Sequence, residues 1–134
     1  MAASANVLTD EEKARLARAF WEGLRNRDRS ALASIFTEDV VWSNPGETRI
    51  SGEAKGLDAI MTRAQDISDW GVKIELEYVL YGLTDVALHL HNTGNKNSRV
   101  FDEHVVMVFT FRDGRISRLS AFLSNIPMMN AYFA

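Results

Sequence analysis

The chain of 134 residues contains no cysteine, which excludes disulfides and thiolate metal ligands and leaves the compartment unreadable from redox chemistry. It has no basic surplus either. A net charge of −3, with 25% charged residues, gives no reason to expect nucleic acid or an acidic membrane as partner. No stretch approaches the roughly 20 apolar residues of a membrane span, and Met1 to Asn6 lacks the basic and apolar regions of a signal, so a cytoplasmic location is the default expectation. The chain also lacks a nucleotide loop, a nucleophile elbow and a phosphate-binding glycine-rich turn. Ser51-Gly52-Glu53-Ala54-Lys55-Gly56 does not have the strand-to-helix context of such loops, and no organic cofactor is implied.

What is present is ordinary for a globular protein, with 46% hydrophobic residues and a length suited to one domain, 1–134, behind a lead at 1–8 expected to be disordered. Thr9-Asp10-Glu11-Glu12 has the form of a capping box, so a first helix is expected from about Asp10, with Leu16, Ala17, Phe20, Trp21 and Leu24 at helical spacing. Lys13, Arg15, Arg18, Glu22 and Arg25 take its other positions. A shorter helix follows over Arg29 to Phe36, a short strand at Val40-Val41-Trp42 stops at Asn44-Pro45-Gly46, and Glu47 to Gly56 reads as irregular. Leu57 to Trp70 is a third helix, with Ile60, Met61, Ala64 and Ile67 on one side.

The last half reads as strands. Val72 to Tyr81 is apolar at even positions and charged at odd ones until its end. Val86 to His91 follows, the polar Asn92 to Ser98 is expected to be a loop, and a long alternating strand runs from Arg99 to Arg112. Asp113-Gly114 then turns the chain into Arg115 to Leu123, the strongest short-range hairpin signal in the sequence. Helices first and antiparallel strands after make an α+β plan: a cone-shaped curved antiparallel sheet with three N-terminal helices over its concave face. The apolar tail Ile126 to Phe133 is expected to fold back over the opening of the cone or against a partner chain.

Three stretches carry a family resemblance: Ala31 to Trp42 with Pro45-Gly46, then Ser51-Gly52 and Lys55 to Ile60, then Val108 to Ile116. With them the chain resembles the nuclear transport factor 2-like superfamily, in its SnoaL-like and ketosteroid-isomerase-like branch. The resemblance implies a homodimer and an enzyme of isomerase, cyclase or lyase type, acting without an organic cofactor on a largely apolar polyketide- or terpenoid-like molecule. Non-catalytic binding, or catalysis by shape alone, is the alternative, since the fold serves many functions. The family's catalytic positions are altered. Asn44 stands where isomerase-like members place their carboxylate base, Phe20 where they place an oxyanion-binding Tyr, and Met107 where they place a second acid and SnoaL-like cyclases their base. Ala121 and Ser124 replace acids found in many relatives. The isomerase and SnoaL-type mechanisms are therefore not supported, and Phe20, Trp42, Asn44, Met61, Tyr78, Met107, Phe109 and Ala121 remain as candidates to line a substrate cavity.

Acid–base chemistry then falls to other residues. All three histidines, His89, His91 and His104, lie on the two strands flanking the Asn92 to Ser98 segment. His89 is expected opposite Asp102, Glu103 or His104, according to the loop length. In one register His89, His91, Asp102 and His104 share a face; in the other His89 faces Glu103 and His91 faces Phe101. Either way a carboxylate is expected near His89, and a carboxylate-oriented His is the usual general base near neutral pH. His89, Asp102, Glu103 and His104 are accordingly the catalytic candidates. Alternation weighs against two of them: if Met107 faces the cavity, so do Phe101, Glu103, Val105, Phe109 and Phe111, while Asp102 and His104 point outward. Imidazole and carboxylate suit zinc or iron, but strands do not by themselves make ligands converge, and no metal is expected. The partner expected is a small apolar ligand together with a second copy of the chain. A dimeric mass by light scattering at micromolar concentration is the expected outcome, and a monomeric mass would contradict it.

Overall fold

The computed structural model describes residues 7–134, so most of the expected disordered lead lies outside the described residues. Leu8 is already packed against the core. The elements run α1 (Asp10–Asn26), α2 (Arg29–Ile35), β1 (Phe36–Asn44), β2 (Gly52–Lys55), α3 (Gly56–Asp69), β3 (Lys73–Tyr81), β4 (Val86–Lys96), β5 (Arg99–Arg112), β6 (Arg115–Leu123) and α4 (Ile126–Tyr132). One curved sheet has the order β2-β1-β6-β5-β4-β3, antiparallel throughout except where β1 runs parallel to β6. The helices cover its concave face, giving the expected cone.

The start of α1 follows its sequence. Thr9 Oγ1 accepts from Glu12 N at 3.1 Å and Glu12 Oε1 accepts from Thr9 N at 3.0 Å, a reciprocal capping box. The inward face of α1 brings Phe20 edge-on to Trp42 and Phe109, with ring centroids 5.7 and 5.4 Å away. Fully burying an aromatic of this size contributes about 1.5–3 kcal/mol by surface removal, so Phe20 anchors α1 to the sheet. Lys13, which periodicity puts on the polar side, is buried instead. Its stem lies along apolar surface while Nζ reaches Gly82 O at 3.1 Å, fastening α1 to the β3–β4 turn.

Three strand expectations need correction. The first strand starts at Phe36, four residues early, because its first residues already lie beside β6. Within the supposedly irregular Glu47 to Gly56, Gly52–Lys55 pairs with β1 and buries Ala54 opposite Trp42. The polar run Asn92 to Lys96 is strand, not loop: β4 continues to Lys96 and turns within Asn97-Ser98. Both turn residues have positive φ, 54° and 63°, the requirement of a type I′ hairpin. Gly94 fits the strand because Tyr132 of α4 lies over it; a Cβ there would stand 2.6 Å from the Tyr132 hydroxyl. The Asp113-Gly114 hairpin forms as expected, with φ of 53° and 75°.

Periodicity also conceals Arg63. Only 5% exposed on α3, it donates to Trp42 O at 2.8 Å and to Ser51 O and Gly52 O at 3.1 Å, with its guanidinium 5.1 Å from the Trp42 ring centroid. Three carbonyls take the place of a counter-ion and tie α3 to the β1–β2 connection. Arg63→Met is expected to lower unfolding free energy by about 2–4 kcal/mol, since carbonyls are left without their donors. Urea denaturation checks this, and a loss below about 1 kcal/mol would show that the clamp is dispensable.

Candidate functional site

β5 divides the possible chemistry between two faces. Phe101, Glu103, Val105, Met107 and Phe109 are buried beneath the helices, while Asp102 and His104 are exposed on the other side. The four catalytic candidates are therefore not one site. Glu103 points inward; His89, Asp102 and His104 point outward.

The concave face holds a chamber of about 40 Å3. Trp42 and Asn44 of β1, Met107 of β5 and Ala121 of β6 line it as expected, joined by Asn92 of β4 and by Met129 and Phe133 at the C-terminal end. The tail thus folds back over the opening. Phe20 and Phe109 are wholly buried in the core beside the chamber and do not line it, and Met61 is half-buried on α3 outside it. Tyr78 is on the wrong face. Glu77 is the extra residue in β3 between the pairs Leu76–Leu90 and Tyr78–His89, and this bulge inverts the alternation, leaving Tyr78 64% exposed outside.

The chamber wall is apolar with few polar groups. Asn44 was a candidate positioning donor, but its Nδ2 already donates to Ile50 O at 2.8 Å, which closes the β1–β2 connection. Trp42 Nε1 and Asn92 Oδ1 are buried without a partner. Among the described residues Glu103 is the one buried carboxylate, and it lies directly across the β4–β5 pair from Asn92. Its Oε2 accepts from Ser124 Oγ at 2.5 Å, while Oε1 is buried and unpaired. Burial pushes the Glu103 carboxyl above the usual carboxylate range, against the opposing pull of the Ser124 hydroxyl and the Asn125 amide.

Beyond the chamber wall lies a groove of about 420 Å3 between α1, α3 and β3. Leu24, Ile67, Val72 and Ile74 border both spaces, so the groove and the chamber share an apolar wall. Arg25, Arg27, Lys73 and Glu75 give the groove a charged rim.

On the outer face the cross-strand pairs are His91–His104 and His89–Val106. The carboxylate expected beside His89 belongs to His91, whose Nε2 is 2.6 Å from Asp102 Oδ1. His89 Nε2 instead lies 3.0 Å from His104 Nδ1, and its ring stacks on Tyr78. The proposed pairings of His89 with Asp102 or Glu103 do not occur, because the two-residue turn shifts the register beyond those considered. Asp102 holds the His91 imidazole above its ordinary pKa by hydrogen bonding and charge, assisted by Glu77 and Glu75.

The profile of the SnoaL-like domain family matches residues 17–119. The chain belongs to that family. Among curated proteins, this SnoaL-like chain is 24% identical to the uncharacterized protein Rv0034 of Mycobacterium tuberculosis over 131 residues, covering 95% of this chain and 100% of the relative. Among solved structures, Bal32a from a soil-derived mobile gene cassette superposes with TM-score 0.86 at 23% identity, covering 92% of this chain and 98% of its own. TerC, co-crystallized with polyporic acid, gives 0.76 at 16% identity, with 92% and 99% covered. RV0760c of Mycobacterium tuberculosis, in complex with estradiol-17beta-hemisuccinate, gives 0.70 at 16% identity, with 87% and 96% covered. An NTF2-like protein from Burkholderia xenovorans gives 0.78 at 21% identity, with 92% and 98% covered, so the cone is the NTF2-like fold.

Within that SnoaL-like frame, sequence reasoning overlooked Asn92, because it was assigned to a loop. Its one available signal was its place in phase with the buried Leu88 and Leu90. Glu103 gives the site a test of its own. With its folded-state pKa raised, it contributes stability that is fully present below the unfolded carboxyl pKa and lost as pH rises through the folded one. Glu103→Gln is expected to remove that decline, leaving the variant more stable than wild type at pH 8 but not near pH 4. Parallel pH profiles in urea denaturation would contradict this assignment.

Proposed function

We propose that this SnoaL-like protein binds and transforms a largely apolar, polyketide- or terpenoid-like small molecule, by chemistry of the cyclase, isomerase or dehydratase type. The observation that carries the reading is the chamber wall, where an unpaired donor, Trp42 Nε1, and an unpaired acceptor, Asn92 Oδ1, are buried among apolar side chains. Buried polar atoms normally have partners; a carbonyl or hydroxyl on a ring system would accept from Trp42 Nε1, and a hydroxyl would donate to Asn92 Oδ1. The chamber of about 40 Å3 admits only the deep end of such a molecule. Its body would occupy the groove of about 420 Å3, a size ordinary for small-ligand sites, once Leu24, Ile67, Val72 and Ile74 move aside. Polyporic acid and the estradiol hemisuccinate, bound by TerC and RV0760c, are molecules of this general kind.

Glu103 is the proposed acid–base group. A carboxyl whose pKa is raised by burial is better able to donate a proton or a strong hydrogen bond to oxygen as negative charge develops, as enolisation, cyclisation and dehydration require. Non-catalytic binding is the second reading, favoured by the lack of an acid or base at Phe20, Asn44 and Met107. A homodimer is also proposed, as the family resemblance implies.

Calorimetric titration with estradiol and with polyporic acid tests the ligand class. Saturable micromolar binding is expected, weakened about tenfold, or 1.4 kcal/mol, by Trp42→Phe or Asn92→Ala. Failure of both probes to saturate the wild type would remove the reading. Conversion of a bound molecule that Glu103→Gln stops without weakening binding supports catalysis, and binding with no conversion leaves the second reading.

A further inference from the structure

The outer sheet face carries a second group of chemistry-bearing side chains, unconnected with the chamber. β4 presents His89 and His91 and β5 presents Asp102 and His104, each pair two residues apart and therefore on one face. Three features bring them together. His91 and His104 are directly opposed, with ring centroids 4.5 Å apart and planes within 4°. One diagonal joins His91 Nε2 to Asp102 Oδ1 at 2.6 Å, and the other joins His89 Nε2 to His104 Nδ1 at 3.0 Å. One ligand atom from each of His91, Asp102 and His104 lies within 4.8 Å of the others.

We propose that His91, Asp102 and His104, with His89 within reach as a fourth ligand, form a binding site for a zinc-class divalent cation on the outer face of the sheet. Imidazole nitrogen with one carboxylate oxygen is a donor set that suits zinc and its first-row neighbours. The geometry is close to what such an ion requires. Bonds of about 2.0 Å in tetrahedral array place ligand atoms about 3.3 Å apart, so the His91–Asp102 contact of 2.6 Å has to open and the widest separation, within 4.8 Å, has to close through side-chain rotation. The side chains have room to do so, because Asp102 and His104 are exposed and His91 is partly so.

The surroundings are those of a metal site as well. A ligating His is usually backed by a carboxylate on its other ring nitrogen. Glu77 Oε1 lies 3.7 Å from His91 Nδ1, on the side away from Asp102. The β3 bulge that places Tyr78 against the His89 ring also fixes that imidazole in the cluster. Glu75, Glu77 and Asp102 all bear on His91, so the local field is negative and favours a cation over an anion. The general objection that strands do not make ligands converge fails for this pair of strands, because direct opposition and both diagonals are used together.

The site takes the ion in competition with protons. His91 must be neutral to ligate, so affinity falls on acidification.

The test is calorimetric titration of tag-free protein with zinc at pH 7.5, alongside melting curves with and without the metal. One zinc per chain is expected, with a rise in melting temperature that the double variant His91→Ala/His104→Ala lacks. Glu77→Gln keeps every ligand and is expected to weaken binding about tenfold, the usual cost of losing an outer carboxylate. Circular dichroism of each variant confirms folding, and these exposed positions are not part of the core. Absence of stoichiometric zinc binding by the wild type, or affinity unchanged in the double variant, overturns the proposal.

Discussion

The way β4 and β5 side chains meet, in the chamber and on the outer face, depends on the type I′ turn at Asn97-Ser98. A two-residue turn admits one register between β4 and β5, pairing Lys96 with Arg99 and, ten pairs further along, Val86 with Phe109. Because side chains alternate with period two, moving that register by one residue would exchange the two faces of one strand. Asn92 opposes Glu103, and His91 opposes His104, for this reason alone. The turn is unusual in composition, since Ser rather than Gly occupies its second positive-φ position. Its conformation is held by the long ladder on either side and by α4, whose Tyr132 covers Gly94.

The same facts show what could be read in advance. The capping box, the three apolar helix faces, the Asp113-Gly114 hairpin and the inward set of β5 are local patterns, and local patterns survive folding. The strand extending through Asn92 to Lys96 was hidden because its residues are turn formers, and pairing with β3 and β5, with Tyr132 of α4 over Gly94, makes strand the better state for them. Tyr78 was misplaced by a different cause. A bulge changes phase without any change in composition, so periodicity on either side of Glu77 looks continuous. Arg63 was invisible because its partners are main-chain carbonyls, which leave no trace in sequence.

The site was legible in part for the same reasons. Trp42, Asn44, Met107 and Ala121 line the chamber because they sit on strand positions whose phase was correctly read. Glu103 was placed inward by alternation from Met107, but its pairing with Asn92 required the register. The histidines were concentrated on two strands plainly enough, while their convergence depends on twist and on which diagonals approach, and neither is written in spacing.

One hydrogen-bonded chain joins the two faces that β5 separates. His104 N donates to Ser124 Oγ at 2.9 Å, and Ser124 Oγ donates to Glu103 Oε2 at 2.5 Å. Ser124 N in turn donates to His104 O at 2.9 Å, and Asn125 beside it caps α4 through Met128 N. The residue that steadies the buried carboxyl is therefore the residue from which the chamber's cover departs. The hydrogen bond to Glu103 and the start of the helix that carries Met129 towards the chamber thus meet at the end of β6.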